Sequence, residues 1–180
     1  MIWATARAGS VTYVSPDWVH LTGQEATAAL DHGWRQAIHA DDKAQVMAIF
    51  LGAVRAGAAF TVCYRLKRPD ETYDWVVSGA VPSVSPVDGA FIGFLGSITK
   101  IDVVDPFTQH AHGRLGSFEP PPPHHATMPS TTLDLIADHL LIAHALIVDD
   151  GGQSALPHLK AAIFKIGREL AQEHGGGRAH

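Results

Sequence analysis

From residue 60 to 67 the chain alternates strictly: Phe60, Val62, Tyr64 and Leu66 are separated by Thr61, Cys63, Arg65 and Lys67. A period of two predicts a strand with one buried face. Pro69-Asp70-Glu71 and Pro86-Val87-Asp88-Gly89 are turn signals, and they bracket two more strands. One begins with Tyr73, Trp75 and Val77; the other runs over residues 91–98, with glycines where a backbone or ligand can approach closely. Upstream, Ser10 to Val14 reads as a short strand, and Ser15-Pro16-Asp17-Trp18 opens a short helix that stops at Thr22-Gly23. The best helix covers residues 41–56, with Val46, Ile49, Phe50 and Val54 at helical spacing and Gly57 at its end. Two short strands, several short helices, one longer helix and three long strands predict an α+β domain: a five-stranded antiparallel sheet with short helices on one face.

Beyond residue 102 the pattern changes. Residues 103–130 hold four consecutive prolines, Pro120 to Pro123, and little apolar periodicity, so they read as a Pro/His-rich linker. Residues 131–174 then turn helical. Leu133, Ile136, Ala137, Leu140, Leu141, His144 and Ile147 share one helical face, and Asp149-Asp150-Gly151-Gly152 breaks the helix. Leu156, Leu159, Ile163, Ile166 and Leu170 make a second stripe at spacings of three and four. A two-helix hairpin is expected, and its stripes can bury on the sheet, on each other or on a second copy. The last residues, 175–180, are expected to fray.

Composition narrows the function classes. The chain has 180 residues, 46% hydrophobic and 17% charged, which suits a domain with a real core and an appendage. A net charge of −5 offers no basic field for nucleic acid. One cysteine excludes an internal disulfide, and no apolar run approaches the ~20 residues needed to span a bilayer. No signal peptide heads the sequence, so a cytoplasmic location is expected, with neither membrane nor nucleic-acid partners. Phosphate-loop, Rossmann and nucleophile-elbow motifs are absent, so an enzyme is not expected.

Several motifs in order resemble the PAS family with its PAC-type closing strands. They are Tyr13-Val14-Ser15-Pro16-Asp17-Trp18, Leu21-Thr22-Gly23, Gly33-Trp34, Ile38-His39-Ala40-Asp41-Asp42, Tyr64-Arg65-Leu66, Tyr73-Asp74-Trp75-Val76 and residues 91–99. The resemblance covers residues 1–102. It implies a sensory or regulatory module for signal transduction, one that senses a small ligand or mediates protein–protein contacts and dimerisation. A homodimer is expected, with a kinase or response regulator of a two-component system as signalling partner. Two departures stand out. The family's hairpin carries glycine and arginine where this chain has Glu71 and Asp74, which suggests an altered turn and a lost surface salt bridge.

Trp34, Ile38, Phe50, Phe60, Tyr64, Trp75, Phe91 and Phe94 are the candidates for lining a ligand pocket, though the same residues also read as plain core. No cofactor is specified. A haem- or flavin-binding redox or gas sensor is the alternative, with His39 and His32 as the nearest ligands to the pocket. Cys63 falls on a strand and lacks the helical motif of a flavin-adduct cysteine. His110-Ala111-His112 and His124-His125 lack the spacing of a closed metal site. Asp41 and Asp42 read as carboxylates favoured at a helix start. Phosphotransfer through His139, His144 or His158 is a weaker alternative still, because no phosphoacceptor motif surrounds them.

Overall fold

A computed structural model describes residues 1–102 and 108–175. The elements run β1 (Ile2–Thr5), β2 (Val11–Val14), α1 (Asp17–Thr22), α2 (Ala26–Ala29), a single-turn 3-10 helix at Gly33–Ala37, α3 (Lys43–Ala56), β3 (Phe60–Lys67), β4 (Tyr73–Val84), β5 (Phe91–Lys100), β6 (His112–Leu115), α4 (Thr132–Asp150) and α5 (Leu156–Gly175). The strands form one sheet in the order β2-β1-β5-β4-β3-β6, each pair antiparallel.

The alternation in β3 decides how the sheet is layered. Phe60, Val62 and Tyr64 stand opposite Ala80, Ser78 and Val76 of β4. Together they face α1 to α3 in a core that also takes Trp3, Val14, Trp18, Phe50 and Phe94. The opposite face is not open to water. Ile2, Ala4, Tyr13, Val81 and Leu95 pack there under Ala137, Leu141 and Ala145 of α4 and Ile163 and Leu170 of α5. The stripe expected on α5 is therefore the one that buries, with Leu159 and Ile166 packed beside it. Helices, sheet and helical hairpin make three layers around two cores.

The sheet has six strands where five were expected. The extra strand, β6, lies inside the segment read as a linker. Its four residues are all exposed and show no apolar alternation, so the pairing signal is not in their side chains. Backbone register with β3 (Phe60 opposite Leu115, Cys63 opposite His112) and anchors on either side hold it instead. The Ala111 N–H donates to the Asp42 carboxylate at 3.1 Å, and the Thr61 hydroxyl donates to the Ser117 carbonyl at 3.1 Å. Phe118 then buries against Gly79, where a Cβ would sit 2.7 Å from its ring. The first residues of that segment, 103–107, and the tail from 176 lie outside the described residues.

Two close approaches depend on glycine. Gly96 pairs with Trp3, and a Cβ there would come within 2.4 Å of the indole. At Gly93, with φ +148°, a Cβ would meet the Thr5 carbonyl at 1.9 Å. The β3–β4 turn keeps a left-handed residue even without glycine: Glu71 has φ 69°, and its carboxylate lies 2.7 Å from Lys67 Nζ. Asp74 makes surface ion pairs of its own, 3.1 Å from Lys100 and 3.7 Å from Arg68.

Candidate functional site

Between the sheet and α1 to α3 lies an apolar cavity of about 40 Å³. β1 and β2 supply Trp3, Val11 and Val14, and α3 supplies Val46 and Phe50. β3 and β4 supply Phe60, Val62, Tyr64 and Ser78. Of the eight sequence candidates, Trp34, Phe50, Phe60 and Tyr64 line it. Ile38 and Phe94 are buried in the same core but off the cavity wall: Phe94 packs edge-on against Phe60, and Ile38 bridges to Leu66. Phe91 is half-buried at the end of α3, beside Gly57. Trp75 sits on the other face of the sheet, because Val76 takes the inward position; the Arg65 guanidinium lies 5.6 Å from its ring.

The residues that went unread are Trp3, Val11, Val14, Trp18, Val46, Val62, Ser78 and Ile98. Val62 was available from the β3 alternation, and Val46 from the α3 periodicity. Trp3 and Ser78 meet the cavity only through strand pairing, which local pattern does not reveal.

Polar groups at this wall are few. Tyr64 hydrogen-bonds with Ser78, and burial pushes its phenol well above the ordinary range. The Trp18 indole N–H donates to Gln24 at 3.1 Å. The indole N–H groups of Trp3 and Trp34 are buried and have no partner among the described residues. A buried donor left unpaired costs about 1–3 kcal/mol, and the cavity surface itself is almost wholly apolar. Sites for drug-sized ligands run to ~300 Å³ and more.

The cavity residues do not fit a haem or a flavin. Neither His32 nor His39 lines it. His32 is exposed beside Arg35, 3.1 Å away. His39 accepts the Asp41 N–H at 3.2 Å and packs edge-on against Tyr73, with ring centroids 4.5 Å apart. Among the described residues, no three of His, Cys, Asp and Glu gather as a metal group. Cys63 is buried on the outer sheet face, and burial raises its thiol to about 11, which leaves it a poor nucleophile.

Asp42 does more than favour a helix start. Its side chain is fully buried and accepts the Arg65 backbone N–H at 2.9 Å, the guanidinium at 2.9 and 2.7 Å, and the Ala111 N–H. Burial opposes its charge, yet the Arg65 and Ala111 hydrogen bonds hold its carboxyl below the usual carboxylate range. Asp42 thus ties the α3 start, β3 and the entry to β6 together.

A second polar cluster joins the sheet to the hairpin. Tyr13 donates to the Asp134 carboxylate at 2.8 Å, and Thr131 donates to its other oxygen at 2.8 Å. Asp134 is fully buried, and burial raises its carboxyl above the ordinary value. Further along α4, burial and then Lys160 lower the titration of His144. His139 and His158 are exposed.

The family model for the PAS fold matches residues 11–98. The chain carries a PAS domain. A relative of this PAS chain, the uncharacterized protein y4lL of Sinorhizobium fredii, is 38% identical over 96 residues; that stretch is 53% of this chain and 12% of y4lL. The N-terminal domain of a diguanylate cyclase with PAS/PAC sensor from Marinobacter aquaeolei is similar in structure, with a TM-score of 0.50 at 17% identity over 55% of this chain and 92% of that one. The PAS domain of a Colwellia psychrerythraea protein gives 0.47 at 20% identity, over 56% and 84% of the two chains. The PAS match ends before β6, α4 and α5. Among the described residues, no helix is long and apolar enough to cross a membrane.

Proposed function

We propose that this chain is a non-enzymatic sensory or regulatory module in which the state of the PAS core sets how firmly the α4–α5 hairpin sits on the sheet. One observation supports this reading above the rest: the strands that wall the cavity also carry the hairpin. In β1, Trp3 lines the cavity while Ile2 and Ala4 pack under the helices. In β2, Val14 lines the cavity while Tyr13 holds Asp134. A ligand or partner that shifts β1 or β2 therefore has differential contact with the two states of the hairpin, as any such switch requires. The effector suited to this cavity is very small and apolar, because the wall is almost wholly apolar. The downstream partner, a kinase or response regulator, would read the hairpin.

Val46→Ile and Val62→Ile each add one methyl group to the cavity wall and so imitate occupancy. Hydrogen exchange, read by mass spectrometry, should change several-fold in the amides of α4 and α5 as well as in the sheet. If sheet amides respond while α4 and α5 stay at the wild-type rates, the relay does not exist.

A further inference from the structure

His144 lies on the buried side of α4 and is only 7% exposed. Ala137, Leu141 and Ala145 share that side and pack with Ile163 and Leu170 of α5, so the imidazole stands in an apolar seam between the two helices. Among the described residues the ring makes no hydrogen bond or ion pair, and the charge that acts on it is Lys160 of α5. The other charged groups lie off this contact. Its neighbours one turn away on α4, Leu140, Leu141, Ile147 and Val148, carry no charge. Asp138 lies six residues back and about 120° around the helix, and Asp149 and Asp150 are exposed at its end. α5 also carries His158, Lys165, Arg168 and Glu169, all exposed. Beneath the hairpin the sheet presents Ile2, Ala4, Val81 and Leu95; Tyr13 is there too, but it holds Asp134, about 15 Å along α4 from His144.

A neutral imidazole suits this seam and an imidazolium does not. Burial strips water from the charged ring and Lys160 repels it; both hold its titration below the ordinary value. We propose that His144 is an acid-sensitive latch of the hairpin: its protonation parts α5 from α4 and loosens both from the sheet. The output is the hairpin docking of the function proposed above, whereas the input is a proton and needs no ligand in the core.

The open hairpin binds the proton more readily than the docked one. Docking is therefore at full strength above the open-state value of about 6.5 and weakens as pH falls below it. One proton changes the open fraction by up to about tenfold per pH unit. From about pH 7.5 to 5.5 the whole change is about tenfold, because half of that range lies above the open-state value. Burial raises the Asp134 and Asp138 carboxyls, which favours docking towards acid. The histidine's share is therefore the difference between wild type and His144→Gln.

Hydrogen exchange of the full chain, read by mass spectrometry at about pH 7.5 and 5.5 and corrected for intrinsic rates, tests it. With β3 amides as the internal reference, protection in α4 and α5 should fall about tenfold more in wild type than in His144→Gln. His139→Gln, on the exposed side of α4, should respond as wild type does. Lys160→Glu gives the imidazolium a partner and should remove the acid loss. Urea unfolding at neutral pH shows that each variant is folded, and Lys160→Glu, at a half-buried position, carries the test if His144→Gln is not. Equal responses in wild type and His144→Gln, or an acid loss undiminished in Lys160→Glu, would overturn the proposal. Val46→Ile and Val62→Ile leaving α4 and α5 unmoved would sink the relay from the core but not the latch.

Discussion

Asp42→Ala should be among the most damaging single changes in this chain, and the structure gives its size. The carboxylate is fully buried and accepts four hydrogen bonds, two from the Arg65 guanidinium and two from backbone N–H groups of Arg65 and Ala111. Truncation leaves the Arg65 cation with only Asp41, 3.8 Å away, and breaking a buried pair from one side costs about 3–5 kcal/mol. The Arg65 side chain keeps 20% exposure and regains some water, so the lower half of that range is expected. Even about 3 kcal/mol is a large part of the ~5–15 kcal/mol that holds a domain together. At ~2–4 °C per kcal/mol the midpoint should fall by roughly 10 °C. Urea unfolding followed by tryptophan fluorescence is the assay, since Trp3, Trp18 and Trp34 all line the core cavity. Asp42→Asn should cost less, about 2 kcal/mol, because shape is kept while charge assistance is lost. The pH dependence gives a second check. The folded carboxyl titrates below its unfolded value of about 4. Its contribution is therefore present above that pH and lost as pH falls through the folded value. The gap between wild type and Asp42→Asn should close in acid. A loss under ~1 kcal/mol for Asp42→Ala at an unchanged urea slope, or a gap that ignores pH, would refute the clamp.

Asp134 has the opposite sign. Burial raises its carboxyl, so the folded state holds the proton longer and stability falls as pH rises through the unfolded value near ~4. Asp134→Asn should flatten that limb, and Tyr13→Phe should cost about 1–3 kcal/mol, with faster hydrogen exchange in α4. Gly96→Ala forces a methyl group into the Trp3 ring and should lower stability by about 1–3 kcal/mol or more in urea unfolding. Gly89→Ala, which meets nothing within 4 Å but has φ +68°, should cost only about 1 kcal/mol. Cys63, with its thiol raised to about 11 by burial, should resist alkylation at neutral pH in native protein and react once urea unfolds the chain; rapid native labelling would show the strand open.

The places where sequence pattern succeeded and failed share one cause. In β3 the outer positions Thr61, Cys63 and Arg65 are short or polar, so the inward set stood out. In β4 both faces are buried, Val76 and Ala80 against the helices and Val81 under the hairpin. A strand covered on both sides loses its alternation, and Tyr73, Trp75 and Val77 were read as the leading register when Val76 is the residue that turns inward. α4 misleads in the same way. Ile136 belongs to the apolar stripe by sequence yet is 43% exposed, while Asp134, charged and unread, is fully buried. Its burial depends on Tyr13, more than a hundred residues earlier, and no local window contains that hydrogen bond. The cavity follows this rule as well: Phe50 and Tyr64 were visible from periodicity, while Trp3 and Ser78 arrive through pairing across the sheet.

Covering both faces of the sheet also restricts how this chain can meet another. A sheet face is a ready contact surface, but here α1 to α3 occupy one side and α4 with α5 the other. What remains of the sheet is its two edges. On one, the β2 residue Val11 exchanges backbone hydrogen bonds with Asp31 at 3.0 and 2.8 Å, which blocks extension there. On the other, β6 is only four residues long and carries His112, Gly113 and Arg114, a short polar edge of the kind that discourages strand addition. Exposed apolar side chains lie instead on α4, where the helix that holds Tyr13 through Asp134 presents Leu135 and Leu146 outward. Loosening of α4 on the sheet would also reorient these two residues. Tyr13→Phe should therefore speed hydrogen exchange in α4 and in β2 together, and a variant that frees α4 while β2 keeps its wild-type exchange would show that the strand does not read the helix.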